Sequence, residues 1–338
     1  MATLRTYVIA RLLLMPVMVI TLLTLVFIIL RVLPGDPVSV ILGPKAPPEV
    51  VEELRKALGL DKPLHIQYID YLGKILHGDF GLSYYWKIPV RDLLWPRFLA
   101  TLELSLLAMV IAIALGVTLG ALGALKRNTV IDVVTRLIGV ASYAVPVFLL
   151  GLMMQLILGV YLGLFPISGR ISSEYIGQFR PITGLYLIDT LIQGRLDIFV
   201  DVLKHLVMPA TALGFIISGV INRMTRQSLL EVLDKEFIIA ARARGIPEDR
   251  ILTKYALRNA LIPILTIAGM QFALLLAGAV LTESTFSYPG LGTFLVTSVT
   301  YRDYNAIQGA IVLYAIVVVI VNTITDILYA FIDPRVRY

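Results

Sequence analysis

The sequence lacks cysteine and is poor in charge. No cysteine occurs among its 338 residues, which excludes disulfides, thiolate metal sites and cysteine nucleophiles. Charged residues make up 15% of the chain, against roughly 25% in a typical soluble domain, and 58% of its residues are hydrophobic. A water-soluble fold must cover itself with polar groups, and this chain has too few of them. The composition therefore excludes an ordinary soluble protein.

The motifs of common enzyme classes are also missing. The sequence contains no G-x-x-x-x-G-K-[ST] phosphate-binding loop, no H-E-x-x-H zinc motif and no G-x-S-x-G nucleophile motif. Its histidines, His65, His77 and His205, are far apart, and we expect each at a surface or interface rather than on a metal. We therefore predict no catalytic residue, no metal site and no cofactor. The chain is not predicted to be an enzyme.

Long apolar runs are abundant. Because a charged residue at a bilayer centre costs about 2.5–3.5 kcal/mol, membrane spans are charge-free runs of about 20 residues. Six runs meet this description: 12–30, 104–125, a stretch within 137–169, 206–222, 259–282 and 304–325. The first run is too long for a signal peptide and no A-x-A site follows it, so we expect it to be retained. The sequence predicts an all-α, polytopic membrane protein with six transmembrane helices.

A seventh charge-free run, 284–301, is rich in Ser, Thr and Gly and contains Pro289. We interpret it as a loop or re-entrant segment, because lipid does not tolerate exposed irregular backbone.

The basic residues predict the orientation of the chain. An even number of spans places both termini on one side, together with the 223–258 loop, and this side carries an excess of Lys and Arg. By the positive-inside rule both termini and this loop are cytoplasmic. The net charge of +6 is then a topology signal, and we expect contact with a lipid bilayer and none with nucleic acid. The predicted location is the plasma or inner membrane, as a multi-pass protein.

Two soluble segments have helical patterns. In the outer segment 32–100, a helix start at Pro47-Pro48 and an amphipathic stretch over 63–77 predict a small helical insertion after the first span. On the cytoplasmic side, a helix over 234–244, ended by Gly245, would pack alanines on one side and present Arg242 and Arg244 near its end. Its small residues allow another protein to approach closely. A solvated connecting helix is the alternative reading of the same pattern. We assign no role to the second outer segment, 170–204.

Polar residues within the spans are uncharged. The acidic residues Glu103, Asp132, Glu283 and Asp326 fall near the ends of the runs. Ion-coupled carriers usually need carboxylates deep in the membrane, so a secondary carrier is disfavoured. Four mid-span side chains are candidates for lining a pathway, although hydrogen bonding between helices is their commoner use: Gln155, Asn222, Gln271 and Asn322.

Short motifs along nearly the whole chain resemble a known family. They are LPGDP (33–37), LGLDKP (58–63), GDFGLS (78–83), TLEL (101–104), AARARG (240–245), ALRNA (256–260), FSYPGLG (286–292), RDY (302–304) and DPRVR (333–337). In this order they resemble the permease subunits of dipeptide/oligopeptide/nickel-class ABC importers. Such permeases carry an E-A-A-x-x-x-G element that docks on an ATPase. Here Ala240, Ala241 and Gly245 match it, Ile239 replaces its glutamate, and Glu236 lies one turn earlier.

The resemblance implies an organisation and a function. It implies residues 1–31 as N-terminus and first span, 32–100 as an extracytoplasmic helical segment, and 101–338 as a five-helix permease core with a coupling loop at 223–262. The ATPase-coupling residues are then Glu236, Ala240, Ala241, Arg242, Arg244 and Gly245. The implied partners are a second homologous permease subunit, two ATP-binding cassette subunits and an extracytoplasmic solute-binding protein. Import of di- or oligopeptides is the expected function. Import of oligosaccharides by the same machinery, or a stand-alone channel or carrier, are the alternatives.

Overall fold

Helices form nearly all of the regular structure. A computed structural model describes residues 4–31, 38, 42–43, 46–57 and 59–332. The motifs at 33–37 and 333–337, and Leu58 of a third motif, lie outside the described residues. In the described part the helices are α1 (Leu4–Arg31), α2 (Pro48–Ala57), α3 (Leu64–Leu76), α4 (Val90–Leu125), α5 (Val130–Ala144), α6 (Val147–Met154), α7 (Tyr186–Ile192), α8 (Leu196–Leu233), α9 (Glu236–Ala243), α10 (Leu257–Gly278), α11 (Val280–Thr285), α12 (Leu291–Thr300) and α13 (Tyr304–Ile332). Two π-helical segments, Gln155–Tyr161 and Ile251–Ala256, extend α6 and precede α10.

Five helices are long and apolar enough to cross a membrane, and the number becomes six if one bent pair is counted as a single span. The five are α1, α4, α8, α10 with the turns before it, and α13. The bent pair is α5 and α6 with its π-helical extension. Within the described residues no strand occurs, and an all-α membrane fold is confirmed.

The third predicted span is broken rather than continuous. Its two halves meet at an angle of 100°. Val145 is extended, with a ψ angle of 120°, because the ring of Pro146 disfavours helical backbone at the residue before it. The predicted span within 137–169 therefore corresponds to this bent pair, which is broken at Pro146.

The run 284–301 is mostly helical. Residues 286–290 form a turn between α11 and α12, and α12 has ten residues, about half the number needed to span a bilayer. Of the two predicted alternatives, a loop or a re-entrant segment, the length of α12 fits the second.

Glycines let α4 and α8 pack closely. A Cβ added at Gly116 would lie 2.8 Å from the carbonyl oxygen of Ser218, and one at Gly120 would lie 2.6 Å from that of Asn222. The backbones of the two helices therefore touch at these turns. The G-x-x-x-G spacing of Gly116 and Gly120 marks a real helix contact.

The predicted outer helices are present and pack on the first and last spans. Tyr71 of α3 donates a hydrogen bond from its hydroxyl to the carbonyl of Leu23 at 3.3 Å, and the hydroxyls of Tyr68 and Thr24 are 2.6 Å apart. Leu23 and Phe27 of α1, Tyr71 of α3 and Val312 of α13 are buried together. The insertion is thus fixed against the membrane helices.

Candidate functional site

The predicted coupling helix exists but is shorter than expected. It is α9, Glu236–Ala243, whereas the sequence predicted a helix from 234 to 244. Asp234 instead caps the end of α8, because its amide donates to the carbonyl of Leu230. The first residues of the predicted helix therefore belong to the end of α8, and α9 begins after Lys235.

Gly245 ends α9 as predicted. Its φ is +73°, a left-handed conformation in which a side chain is strained. The amide of Gly245 donates to the carbonyl of Arg242 at 2.9 Å, and that of Ile246 donates to Ala241 at 3.2 Å. These bonds satisfy the last carbonyls of the helix. A Cβ at Gly245 would meet no atom within 4 Å, so the space beside it is open.

One face of α9 packs on the chain itself and the other is exposed. Ile238 is fully buried and Ala241 is 6% exposed, and both contact the core that includes Ile251. Phe237 is 45% exposed and Ile239 is 58% exposed, so two apolar side chains face outward on a helix that is no membrane span. Exposed apolar surface of this kind is typical of a protein contact.

The other predicted coupling residues divide between these faces. Ala240 is exposed whereas Ala241 is buried, because neighbouring residues point to different sides of a helix. The expectation that the alanines share one face was therefore wrong. Glu236, Arg242, Arg244 and Gly245 are exposed.

Arg242 forms an ion pair across the turn after α9. Its Nε lies 2.7 Å from Oε1 of Glu248, and its Nη2 lies 3.3 Å from Oε2. Hydrogen bonding to Glu248 raises the pKa of Arg242 above its ordinary value. This exposed ion pair orients Arg242 back toward its own chain, whereas no ion pair of Arg244 occurs among the described residues.

A groove lies between α5 and α8 at the same end of the molecule as α9. Its volume is about 560 Å³. Four arginines line it together with mostly apolar surface: Arg127, Arg136, Arg223 and Arg226. Gly139 and Gly219 also line it, and a Cβ on Gly219 would lie 2.7 Å from the carbonyl oxygen of Gly139. Val140 and Tyr143 form the α5 wall of the groove.

The buried carboxylate of Asp132 holds α5 and α8 together beside this groove. Its Oδ1 accepts from Nε of Arg226 at 2.7 Å and its Oδ2 accepts from Nη2 at 2.9 Å, and Nε of Arg136 lies 3.5 Å from Oδ1. The amide of Asn128 also donates to Oδ2, at 3.1 Å. Asp132 is 1% exposed, so the sequence missed a buried ion pair at this position.

The four candidate pathway residues do not come together. Asn222 is 3% exposed, lines the groove, and donates from Nδ2 to the carbonyl of Thr135 at 2.8 Å. Gln155 lies in the π-helical extension of α6, where Nε2 donates to the carbonyls of Ile167 and Thr285. Gln271 is half-buried on α10, and Asn322 is exposed on α13.

Two further acidic residues are buried in networks that the sequence missed. Glu103 pairs with Arg170 at 2.6 Å, and both side chains are 5% exposed. Glu103 directly precedes the apolar run 104–125, and α4 begins thirteen residues before it, at Val90. Glu283 is fully buried and accepts from Thr101 Oγ1 at 2.6 Å and from the amides of Gly292 and Thr293. His205, predicted at a surface, is 5% exposed.

The buried Arg170 gives a role to the second outer segment. Its guanidinium also donates to the carbonyl of Gly184 at 2.8 Å and lies 3.6 Å from the ring centroid of Tyr186. The segment 170–195 is thus folded onto α4 beside Glu103. The sequence contains no signal for this pair, because the two residues are about seventy positions apart.

Comparison with known proteins places this arrangement in a family. Residues 112–338 match the binding-protein-dependent transport system inner membrane component family, and residues 4–105 match the N-terminal family of the same membrane component. The dipeptide transport system permease protein DppB of Escherichia coli K12 is 42% identical over 321 residues, which are 94% of each chain. The di/tripeptide transport system permease protein DppB of Pseudomonas aeruginosa is 44% identical over 324 residues, again 94% of each chain.

A more distant relative and a solved structure agree with this placement. The glutathione transport system permease protein GsiC of Salmonella typhi is 36% identical over 333 residues, 98% of this chain and 99% of its own. The inward-facing structure of the MetNI methionine ABC transporter shares the fold, with a TM-score of 0.52 and 19% identity over 71% of this chain and 96% of that one. The chain, a multi-pass membrane permease subunit rather than an enzyme, belongs to the family of binding-protein-dependent transport system inner membrane components.

Proposed function

We propose that this chain forms half of the translocation pathway of an ATP-driven importer of di- or oligopeptides. The named relatives support the substrate class, because dipeptides, tripeptides and glutathione are all small peptides. The partners in this proposal are a second homologous permease subunit, two ATPase subunits and an external solute-binding protein. The two termini and α9, which lies within the predicted coupling loop at 223–262, are cytoplasmic.

The observation that carries the proposal is the exposed face of α9. Phe237 and Ile239 are solvent-facing apolar side chains outside any span, and the neighbouring Ala240 adds little bulk. A partner protein that covers them gains hydrophobic burial, at about 25 cal/mol per Å². The ATPase subunit is this partner in the proposal.

The mechanism follows from the connection between α9 and α8. When the ATPase pair closes on ATP, it moves the two coupling helices, and each α9 moves the end of α8 through the short break at 234–235. The close contact of α8 with α4 and α5 transmits this movement to the rest of the permease. Rigid-body rotation of the two permease subunits then switches the pathway between outward- and inward-facing states.

Replacement of Gly245 by tryptophan tests the coupling role. A Cβ at this position meets no atom of this chain within 4 Å, so the bulky side chain has open space beside α9 in which it can obstruct a docked partner. We expect uptake of a radiolabelled dipeptide into proteoliposomes of the whole importer to be abolished. We expect membrane insertion of the variant to be unchanged.

Gly194→Trp is the matched control. Gly194 also has a positive φ, +67°, and also has no atom within 4 Å of a Cβ, but it follows α7 in another loop. Both variants therefore introduce similar backbone strain, and only the first obstructs α9. Normal dipeptide uptake by Gly245→Trp contradicts the docking role, and uptake of oligosaccharides but not peptides by the unsubstituted importer contradicts the substrate.

A further inference from the structure

We propose that Arg223 binds the C-terminal carboxylate of the transported peptide in the groove between α5 and α8. This inference rests on the proposed function, because it states where in the pathway the carboxylate of the transported peptide binds. It concerns a residue outside the coupling helix and a site for which the sequence motifs give no indication.

The groove reaches Arg223 from the ends of two helices. Arg127, just after α4, and Asp234, just after α8, line it together with Arg223 and Tyr143, so water can enter from this end. The guanidinium of Arg223 lies 5.6 Å from the ring centroid of Tyr143, which is thirteen residues, or about 20 Å, beyond the first residue of α5. Ionisable side chains on membrane helices typically face water-filled cavities rather than lipid, and they mark substrate pathways.

The charges of the groove leave Arg223 available for a ligand. Among the described ion pairs, Arg226 and Arg136 both contact Asp132, at 2.7 and 3.5 Å, and Arg127 lies 3.8 Å from Asp234. Among the described residues no ion pair includes Arg223, whose guanidinium lies over the ring of Tyr143. A guanidinium held over an aromatic ring keeps its donors free at the edge, where a carboxylate can accept two parallel hydrogen bonds.

The terminal carboxylate is the group that such a site can recognise in peptides of different sequence. Peptides of different sequence differ in their side chains but share a terminal carboxylate, and a guanidinium matches its geometry. The largely apolar remainder of the groove, with Val140 and Leu230 in its walls, accepts side chains of many kinds. Because Arg223 lies on α8, the helix that leads into α9, movement of the coupling helix also moves this site.

Thiol labelling tests the inference, since the chain has no cysteine of its own. Val140→Cys places a thiol in the groove wall, and Val134→Cys places a matched thiol on another face of α5, where residue 134 is 46% exposed. In the reconstituted whole importer, each thiol is treated with an anionic and a cationic methanethiosulfonate, and labelling of this chain is followed by mass spectrometry. A change in thiol pKa affects both reagents equally, so the ratio of their rates reports local charge.

We expect the groove thiol to favour the anionic reagent, and the thiol at position 134 to show no such preference. Arg223→Gln should lower the anion-to-cation ratio at position 140 about tenfold at low salt, the change produced by one unit charge about 6 Å away in water. Arg223→Lys should preserve the ratio, which separates charge from loss of fold. A dipeptide with a free carboxylate should slow labelling more than the same dipeptide as its C-terminal amide.

Three results would overturn the inference: no labelling of the groove thiol by either reagent, a ratio insensitive to Arg223→Gln, or equal protection by the acid and the amide. Dipeptide uptake by the unsubstituted importer tests the proposed function separately. If uptake occurs and the ratio does not depend on Arg223, the carboxylate site fails and peptide import stands. If the ratio and the protection are as expected but an energised importer takes up no peptide, the import function fails.

Discussion

At the scale of single residues, the ion pair of Glu103 and Arg170 is the most consequential. Both side chains are 5% exposed, and the second oxygen of Glu103 accepts from the amide of Leu187 at 2.7 Å. Removing one member of such a pair leaves a buried charge without compensation, which typically costs about 3–5 kcal/mol. An exposed pair costs far less to break, about 0–1 kcal/mol.

Glu103→Gln should therefore lower the free energy of unfolding by about 3–5 kcal/mol. The exposed pair of Lys62 and Asp70, also 2.7 Å apart with side chains 48% and 47% exposed, provides the control. Asp70→Asn should leave stability almost unchanged, because solvent screens this exposed pair. Chemical denaturation in detergent measures both, and equal losses in the two variants would contradict a structural role for the buried pair.

The sequence could not reveal this pair, for a physical reason. Hydropathy marks where charge is absent, so it began the second span at 104 and left Glu103 outside. In the structure α4 begins at Val90, and Arg170 neutralises the carboxylate from a segment distant in the sequence. A span can hold a charge when a partner comes from elsewhere in the chain, and that pairing depends on tertiary structure.

At the scale of elements, the contact of α5 with α8 depends on small residues. Gly219 of α8 faces Ser142 and Gly139 of α5, and an added Cβ would overlap the Ser142 hydroxyl. In the membrane, close approach of helices at such residues replaces the hydrophobic effect as a source of association energy.

Gly219→Ala should lower the free energy of unfolding by about 1–3 kcal/mol, because α5 and α8 must move apart to admit the methyl group. Gly73→Ala in α3 is the control, since its Cβ would have no atom within 4 Å. That variant should gain up to about 1 kcal/mol from helix propensity. Thermal unfolding in detergent compares them, and two equally stable variants would contradict the close contact.

Helix existence was more predictable from the sequence than helix boundaries. The apolar runs located five long helices, yet α8 extends to Leu196–Leu233 although its apolar run covers only 206–222. Polar residues at both ends continue the helix because they find hydrogen-bond partners. Ser172 of the preceding segment donates to Asp201 at 2.5 Å, and Gln227 donates to Glu231 one turn later in α8 at 3.1 Å. The break at Pro146 was visible in the sequence, but its 100° angle depends on packing.

At the scale of the whole molecule, the proposed orientation places α9 inside the cell and the segment 170–195 outside. Ala240 on α9 and Ile176 in the outer segment are both exposed, and the exposed fraction of Ile176 is 70%. Because the chain has no cysteine, a single introduced thiol reports the side of the membrane on which it lies.

Ile176→Cys should react with a membrane-impermeant maleimide in intact cells, and Ala240→Cys should react only in inverted vesicles. The positive-inside distribution of Lys and Arg is the physical reason for this expectation. Labelling is measured by the mass increase of the chain. Reaction of the Ala240→Cys variant in intact cells would reverse the orientation and remove α9 from contact with a cytoplasmic ATPase.

The candidate site was predictable only in part at this scale. The motif located α9 and its terminal Gly245, because a helix end needs a residue with positive φ. It did not separate the buried Ala241 from the exposed Ala240, which depends on which side meets Ile251. The groove with Arg223 was not visible either, because its walls come from two helices far apart in the sequence.

The length of α8 has a mechanical consequence. A helix of 38 residues measures about 57 Å, which exceeds the roughly 40–45 Å of a bilayer with its headgroups. One continuous helix, which contains Pro209, thus reaches from the water on one side to the water on the other. If α8 pivots by about 5° around its outer end, its inner end moves by about 5 Å. The displacement is this large because 38 residues with a rise of about 1.5 Å each make a long helix. A small rotation of α8 at its outer end therefore produces a large displacement at its inner end, next to α9.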